Sequence, residues 1–89
     1  MYAALVTVKL DATRPDDVMK NLHENVVPRS KQAPGFVRGT WFGDGKRGHG
    51  LILFESEKQA QDMASHASMD PGSPVQIESN AVYKVNAEA

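Results

Sequence analysis

The chain has 89 residues, of which 40% are hydrophobic and 24% charged, with a net charge of −1. That length accommodates one domain, 1–89, and excludes a doubly wound sheet or a (β/α)₈ barrel, while the balanced charge argues against a nucleic-acid partner. The absence of cysteine excludes a disulfide, a thiolate nucleophile, an iron–sulfur cluster and Cys-bound zinc. A domain this small buries only about 60–65% of its unfolded surface, and an oligomeric partner is a common remedy.

Tyr2 to Leu10 reads as a strand, with Val6, Val8 and Leu10 on one parity and Leu5, Thr7 and Lys9 on the other. Both faces therefore carry apolar residues. The segment has neither a basic start nor a small-residue cleavage site, so it is not a signal peptide. No apolar run approaches the roughly 20 residues of a membrane span, so the expected compartment is the cytoplasm, with no membrane partner.

Thr13-Arg14-Pro15-Asp16-Asp17 is a helix start. Pro15 stands near the first helical position, and the two aspartates complement the positive end of the dipole. Val18, Leu22 and Val26 make an apolar stripe, and Pro28 is expected to kink or break the helix. A last turn runs to Gln32, before Pro34-Gly35. Phe36 to Phe42 is the second strand. Gly43-Asp44-Gly45-Lys46-Arg47-Gly48 is a hairpin turn, and Gly50 to Phe54 is the third strand. Ser56 caps a second helix, with Gln59 three residues on and Ala60, Met63, Ala64 and Ala67 as its apolar stripe. Val75 to Val85 is the fourth strand, with Val75, Ile77, Ala81, Tyr83 and Val85 on one parity, and Asn86–Ala89 is expected to fray.

The order β-α-β-β-α-β predicts a ferredoxin-like α+β fold, a four-stranded antiparallel sheet with two helices on one face. Two helices cover only one face of that sheet, yet the strands are apolar on both parities. The other face is therefore expected to pack against the same face of a second copy, as a two-fold homodimer.

Pro34-Gly35-Phe36 at the start of strand two, the Gly-rich hairpin after it, and Leu53-Phe54-Glu55-Ser56-Glu57 leading into an alanine-bearing helix resemble the dimeric α+β barrel superfamily. The resemblance is closest to antibiotic-biosynthesis-monooxygenase-type domains and spans Tyr2 to about Val85. It implies a sheet-to-sheet dimeric barrel and a flat, hydrophobic aromatic ligand, quinol- or polyketide-like, held between sheet and helices. It also implies monooxygenation without a cofactor, in which the substrate's own electron-rich ring activates O₂. The superfamily also contains haem-degrading enzymes and stress-response proteins with no enzymatic role. In the haem-degrading branch an Asn on strand one, a Trp on helix two and a later His would fall at Thr7, Met63 and near Gly72. His66 comes about two turns too early. None of the three matches, which argues against haem degradation by that mechanism.

The chemistry-bearing residues are few. His23, His49 and His66 sit on three different elements with no metal-ligand spacing, so no metal site is expected. His23 reads as a partly exposed structural residue. His49 is either a hairpin-end residue or a group at a cavity mouth that titrates near neutral pH. His66 has a structural reason to stand at a helix C-terminus, with cavity lining as the sharper reading. Arg38, on the parity of Phe36 and Phe42, is either paired with Glu78 or Glu55 or is an oxyanion clamp. Phe36 and Phe42 are both expected in the core. Tyr83 either caps the barrel or hydrogen-bonds a quinol oxygen. His49, His66, Arg38 and Tyr83 form the pool of expected catalytic groups. Trp41, Thr7, Met63 and Phe36 form the expected ligand-binding set, with the homodimer face as the expected place of Trp41. No nucleophile–base pair, phosphate loop or dinucleotide motif is present. The sequence thus carries two readings: a cofactor-independent monooxygenase-type protein, and a non-catalytic homodimeric small-molecule-binding or stress-response protein.

Overall fold

The computed structural model describes residues 1–65 and 72–89. Four strands, β1 (Tyr2–Leu10), β2 (Phe36–Gly43), β3 (Arg47–Phe54) and β4 (Val75–Lys84), form one antiparallel sheet in the order β2-β3-β1-β4. This is the ferredoxin-like arrangement that the element order predicts. It places β1 and β3, the two strands apolar on both parities, at the centre, where both edges are hydrogen-bonded.

The two faces differ because side chains alternate along each strand. Ala4, Ile52 and Phe54 point to the helices and form the core with Ala60; Phe36, Trp41 and Met63 pack against it. The opposite face carries rows such as Thr7–His49–Phe42 and Leu5–Leu51–Thr40. Two β-bulges break the simple parity. In β2 the register slips between Phe36 and Arg38, with Val37 as the extra residue, so Phe36 and Phe42 lie on opposite faces. Phe42 is 54% exposed, which corrects its expected place in the core. In β4, Val8 faces Ile77 while Thr7 faces Ser79, leaving Glu78 as the extra residue. Val75 and Ile77 thus face the helices, whereas Ala81 and Tyr83 face away.

The hairpin between β2 and β3 is tied by Asp44. Its carboxylate accepts the backbone N–H groups of Lys46 and Arg47, both at 2.9 Å, and those donors hold its pKa below the usual carboxylate value.

The first helical layer is α1 (Pro15–Asn21), a π-helical turn (Leu22–Val26) and α2 (Val27–Gln32), running on without a break. Of the kink or break expected at Pro28, the helix shows no break but a local distortion just ahead of the proline. Proline lacks the N–H of a regular helix, and the chain absorbs this by widening, with Val27 N–H bonding to Leu22 C=O. The Ser30 hydroxyl donates to Val26 C=O at 2.8 Å and is buried. Neither α1 nor the π turn buries a residue, so this layer stands off the sheet. After α2, the chain turns at Pro34-Gly35. Gly35 has φ of 78°, and the Gln59 amide occupies the place its side chain would take, so a residue other than glycine meets both strain and collision there.

The second helix, α3 (Glu57–Ser65), behaves oppositely. Ser56 caps it, its Oγ accepting Gln59 N–H at 3.3 Å. Ala60 and Ala64 are buried, and Asn80 on β4 donates from Nδ2 to Ala64 C=O at 3.0 Å. Small side chains let α3 lie directly on the sheet. Ala67 of the expected stripe lies outside the described residues. Among those that are described, no helix is long and apolar enough to cross a membrane.

Asn86–Ala89, expected to fray, is exposed and has no regular secondary structure, yet it has points of contact with the sheet. Val85 N–H donates to Met1 C=O at 3.0 Å, and Glu88 pairs with Arg38 at 2.9 Å. Together with Ala87 and Ala89 it crosses the outer face of the sheet over Ala3 and Leu53, both buried.

Candidate functional site

One helix layer lies tight against the sheet and the other stands off, so a cavity opens between them. Its volume is about 1390 Å³, at or above the size of ordinary small-molecule sites. The floor comes from the sheet: Val6 and Val8 of β1, Trp41 of β2, Gly48, Gly50 and Ile52 of β3, Val75 and Ile77 of β4. Met63 of α3 forms one side, and Val18, Leu22 and Val26, the apolar stripe read from the sequence, form the roof.

Trp41 gives the floor its shape. A side chain on Gly39 would stand 2.6 Å from Trp41 Cη2, and one on Gly50 would stand 2.9 Å from Trp41 Nε1. The six-membered end of the indole therefore lies over Gly39 and the pyrrole end over Gly50. Two strand residues without side chains let the ring lie down along the sheet instead of standing up into the cavity. Trp41 thus belongs to the helix side, and its expected place on a homodimer face is corrected: alternation puts it opposite Phe42.

The expected functional residues divide between the faces. Trp41 and Met63 line the cavity. Phe36 packs against the core cluster beside it. Thr7, His49, Arg38 and Tyr83 carry their side chains on the other face. Thr7 Oγ1 and His49 Nδ1 are 3.1 Å apart, and the His49 ring meets Phe42 at 5.2 Å. Arg38 pairs with Glu88 rather than with Glu78 or Glu55, since Glu78 pairs with Arg47 at 2.9 Å. Tyr83 is 55% exposed. Thr7, Arg38 and Tyr83 do not border the cavity; His49 does border it, at the hairpin end, though its ring is held by Thr7 and Phe42 on the other face. His66 lies outside the described residues. Among the described residues, no cluster of three or more His, Cys, Asp and Glu is placed to hold a metal ion.

The sequence reading missed the cavity's polar wall. Asn21, Asn25 and Arg29 follow one another at four-residue steps beside Leu22, Val26 and Ser30, and all line the cavity. Asn25 Nδ2 donates to Asn21 Oδ1 at 3.1 Å. Gln59 and Asp62 of α3 complete the wall. The signal was present as a second stripe with helical spacing, displaced by one position from the apolar one.

No family model and no curated protein matches this sequence. Among solved structures, the chain is similar to the heme-degrader MhuD from Mycobacterium tuberculosis, determined with two hemes bound in its active site. The match covers 100% of this chain and 99% of that one, with a TM-score of 0.74 and 14% sequence identity. The two proteins therefore share a fold over 100% of this chain and 99% of that one. Of the three positions compared with the haem-degrading branch, Met63 and Gly72 border the cavity and Thr7 points out of it.

The floor's geometry has a direct test. Replacing Gly39 with Val forces the indole off the sheet and is expected to cost about 1–3 kcal/mol in urea unfolding. Because Trp41 is the single tryptophan, its emission also moves to the red as the ring lifts toward water. Unchanged stability and emission would contradict this placement.

Proposed function

We propose that the protein binds a flat, hydrophobic aromatic molecule, quinol- or polyketide-like, in the cavity between sheet and helices. The observation that carries this reading is the indole of Trp41, laid flat as the floor of an apolar cavity of about 1390 Å³. A planar surface of that kind favours offset stacking with a planar ligand. The heme-degrader with the same fold holds two hemes in its active site, and heme is itself a large planar aromatic.

The chemistry proposed for such a ligand is cofactor-independent monooxygenation. An anthrone-type substrate takes one atom of O₂ at its ring methylene, which becomes a carbonyl, and the other atom leaves as water; the substrate supplies all the electrons. The protein's part is desolvation and orientation. His66, three residues after Met63, is the proposed base. One placement favours the second reading, a non-catalytic binding protein: Arg38, Thr7 and Tyr83 do not border the cavity, and the His49 ring turns to Thr7 and Phe42 at its edge. In either case the outer sheet face, with Leu51, Phe42 and Tyr83 exposed at 38%, 54% and 55%, is proposed to meet the same face of a second copy. The proposed compartment is the cytoplasm.

Anthrone is expected to quench Trp41 emission saturably and, in the enzymatic reading, to drive O₂ uptake above the uncatalysed rate, with His66→Ala abolishing the excess. Saturable quenching without O₂ uptake would leave the binding reading and remove the enzymatic one. No quenching by anthrones or quinols would contradict both. For assembly, light scattering is expected to give roughly twice 9.7 kDa, and Leu51→Asp to return the mass to that of one chain. A wild-type protein that is monomeric at micromolar concentration would contradict the homodimer.

A further inference from the structure

The arginines of this chain are not alike. Arg14 pairs with Asp11 at 3.0 Å, and Arg38 and Arg47 pair with Glu88 and Glu78, each at 2.9 Å. Among the described residues, no carboxylate pairs with Arg29. Arg29 is also the only lysine or arginine among the described residues that line the cavity, and it is exposed. The other charged residues of the lining are acids. Asp11 is committed to Thr13 and Arg14, and Asp62 stands on α3, in the other helical layer. The cavity thus carries one cation, on α2, with no carboxylate beside it.

The setting of that cation suits an anion. Asn25 stands four residues before Arg29, and it too is exposed and borders the cavity. Residues four apart on a helix are neighbours. Asn25 Nδ2 gives one hydrogen to Asn21 Oδ1 at 3.1 Å, which holds the amide and leaves a second N–H on the same nitrogen. A guanidinium offers parallel N–H groups that match the two oxygens of a carboxylate. On the α3 side, Asp62 disfavours the same anion by charge. The helix α2 packs against β2, the strand that carries Trp41, so cation and indole belong to one side of the cavity.

We infer that Arg29, with Asn25 beside it, determines the ligand specificity of this cavity, and that it selects a planar aromatic acid. The ring system lies over Trp41 and the carboxylate meets Arg29 at the α2 edge. This rests on the proposed binding of a flat aromatic molecule and adds the charge that molecule bears. Because Arg29 is exposed, water and salt screen the attraction, so it sets a preference of about fivefold rather than an absolute requirement.

The test compares two probes of one shape, anthraquinone-2-carboxylate and anthraquinone-2-carboxamide, titrated against Trp41 emission at neutral pH. The wild type is expected to bind the carboxylate about fivefold tighter, and added salt to weaken the carboxylate alone. Arg29→Gln is expected to remove both the preference and its salt dependence while leaving the carboxamide little changed. Arg29→Lys is expected to keep part of the preference, since the charge stays and the fork goes. Asn25→Leu is expected to weaken the carboxylate by a smaller factor. With no carboxylate to lose, Arg29→Gln is expected to melt at the wild-type temperature. Equal affinity for the two probes in the wild type, or a preference that Arg29→Gln leaves intact, would overturn the role of Arg29 while leaving the cavity as a binding site. A fall in melting temperature with parallel loss of both probes would assign Arg29 a structural role and overturn the inference. No saturable quenching by either probe in the wild type would overturn the cavity reading and this inference with it.

Discussion

The indole of Trp41 lies along the sheet because Gly39 and Gly50 offer no side chains beneath it. Were either residue larger, the ring would have to rise into the space between sheet and helices. Its large apolar area would then fill the volume that is now open. The cavity therefore depends on a close approach of ring to backbone at two positions on adjacent strands, Gly39 opposite Ile52 and Gly50 opposite Trp41 itself. The fold bears this open cleft because Ala4, Ile52, Phe54 and Ala60 close a core at one end, where α3 lies tight.

The two helical layers divide the work. The alanines of α3 bring it onto the sheet and anchor the fold. The first layer stands off, and its π turn lets the helix pass Pro28 without leaving the cavity's edge. That layer contributes a double wall, with Leu22 and Val26 on one row and Asn21, Asn25 and Arg29 on the next. The apolar row suits the faces of a planar ligand and the polar row suits its edge. On the other side of the sheet the chemistry is of another kind: exposed Phe42, Leu51 and Tyr83, the Thr7–His49 contact, and a C-terminal segment latched by Glu88 to Arg38.

Much of the fold was legible in the residues. Strand and helix periodicity, the Ser56 cap and the Asp44 hairpin give the element order, and the order gives the sheet. Which face each side chain takes was less legible, for a definite reason. Parity counting assumes an unbroken two-residue repeat, and one extra residue reverses everything beyond it. Val37 does this in β2 and Glu78 in β4, so Phe42 leaves the core and Ala81 and Tyr83 part from Val75 and Ile77. The candidate site suffered most. Arg38, His49 and Tyr83 drew attention as polar residues on strands, yet polarity on a strand more often marks the face away from a helical layer. Asn21 drew none and Gln59 was read only as part of the helix cap, because an amide on a helix looks like ordinary surface.

The central claim is that the ligand belongs to the helix side of the sheet and the outer face to another role. The most direct measurement is the map of backbone and methyl chemical-shift changes when 2-hydroxyanthraquinone is added to the labelled protein. The account expects shifts at Val6, Val8, Trp41, Met63 and Ile77, with Leu5, Thr7, Leu51 and Tyr83 unmoved. Shifts centred on the outer face, with Trp41 and Met63 unchanged, would contradict it.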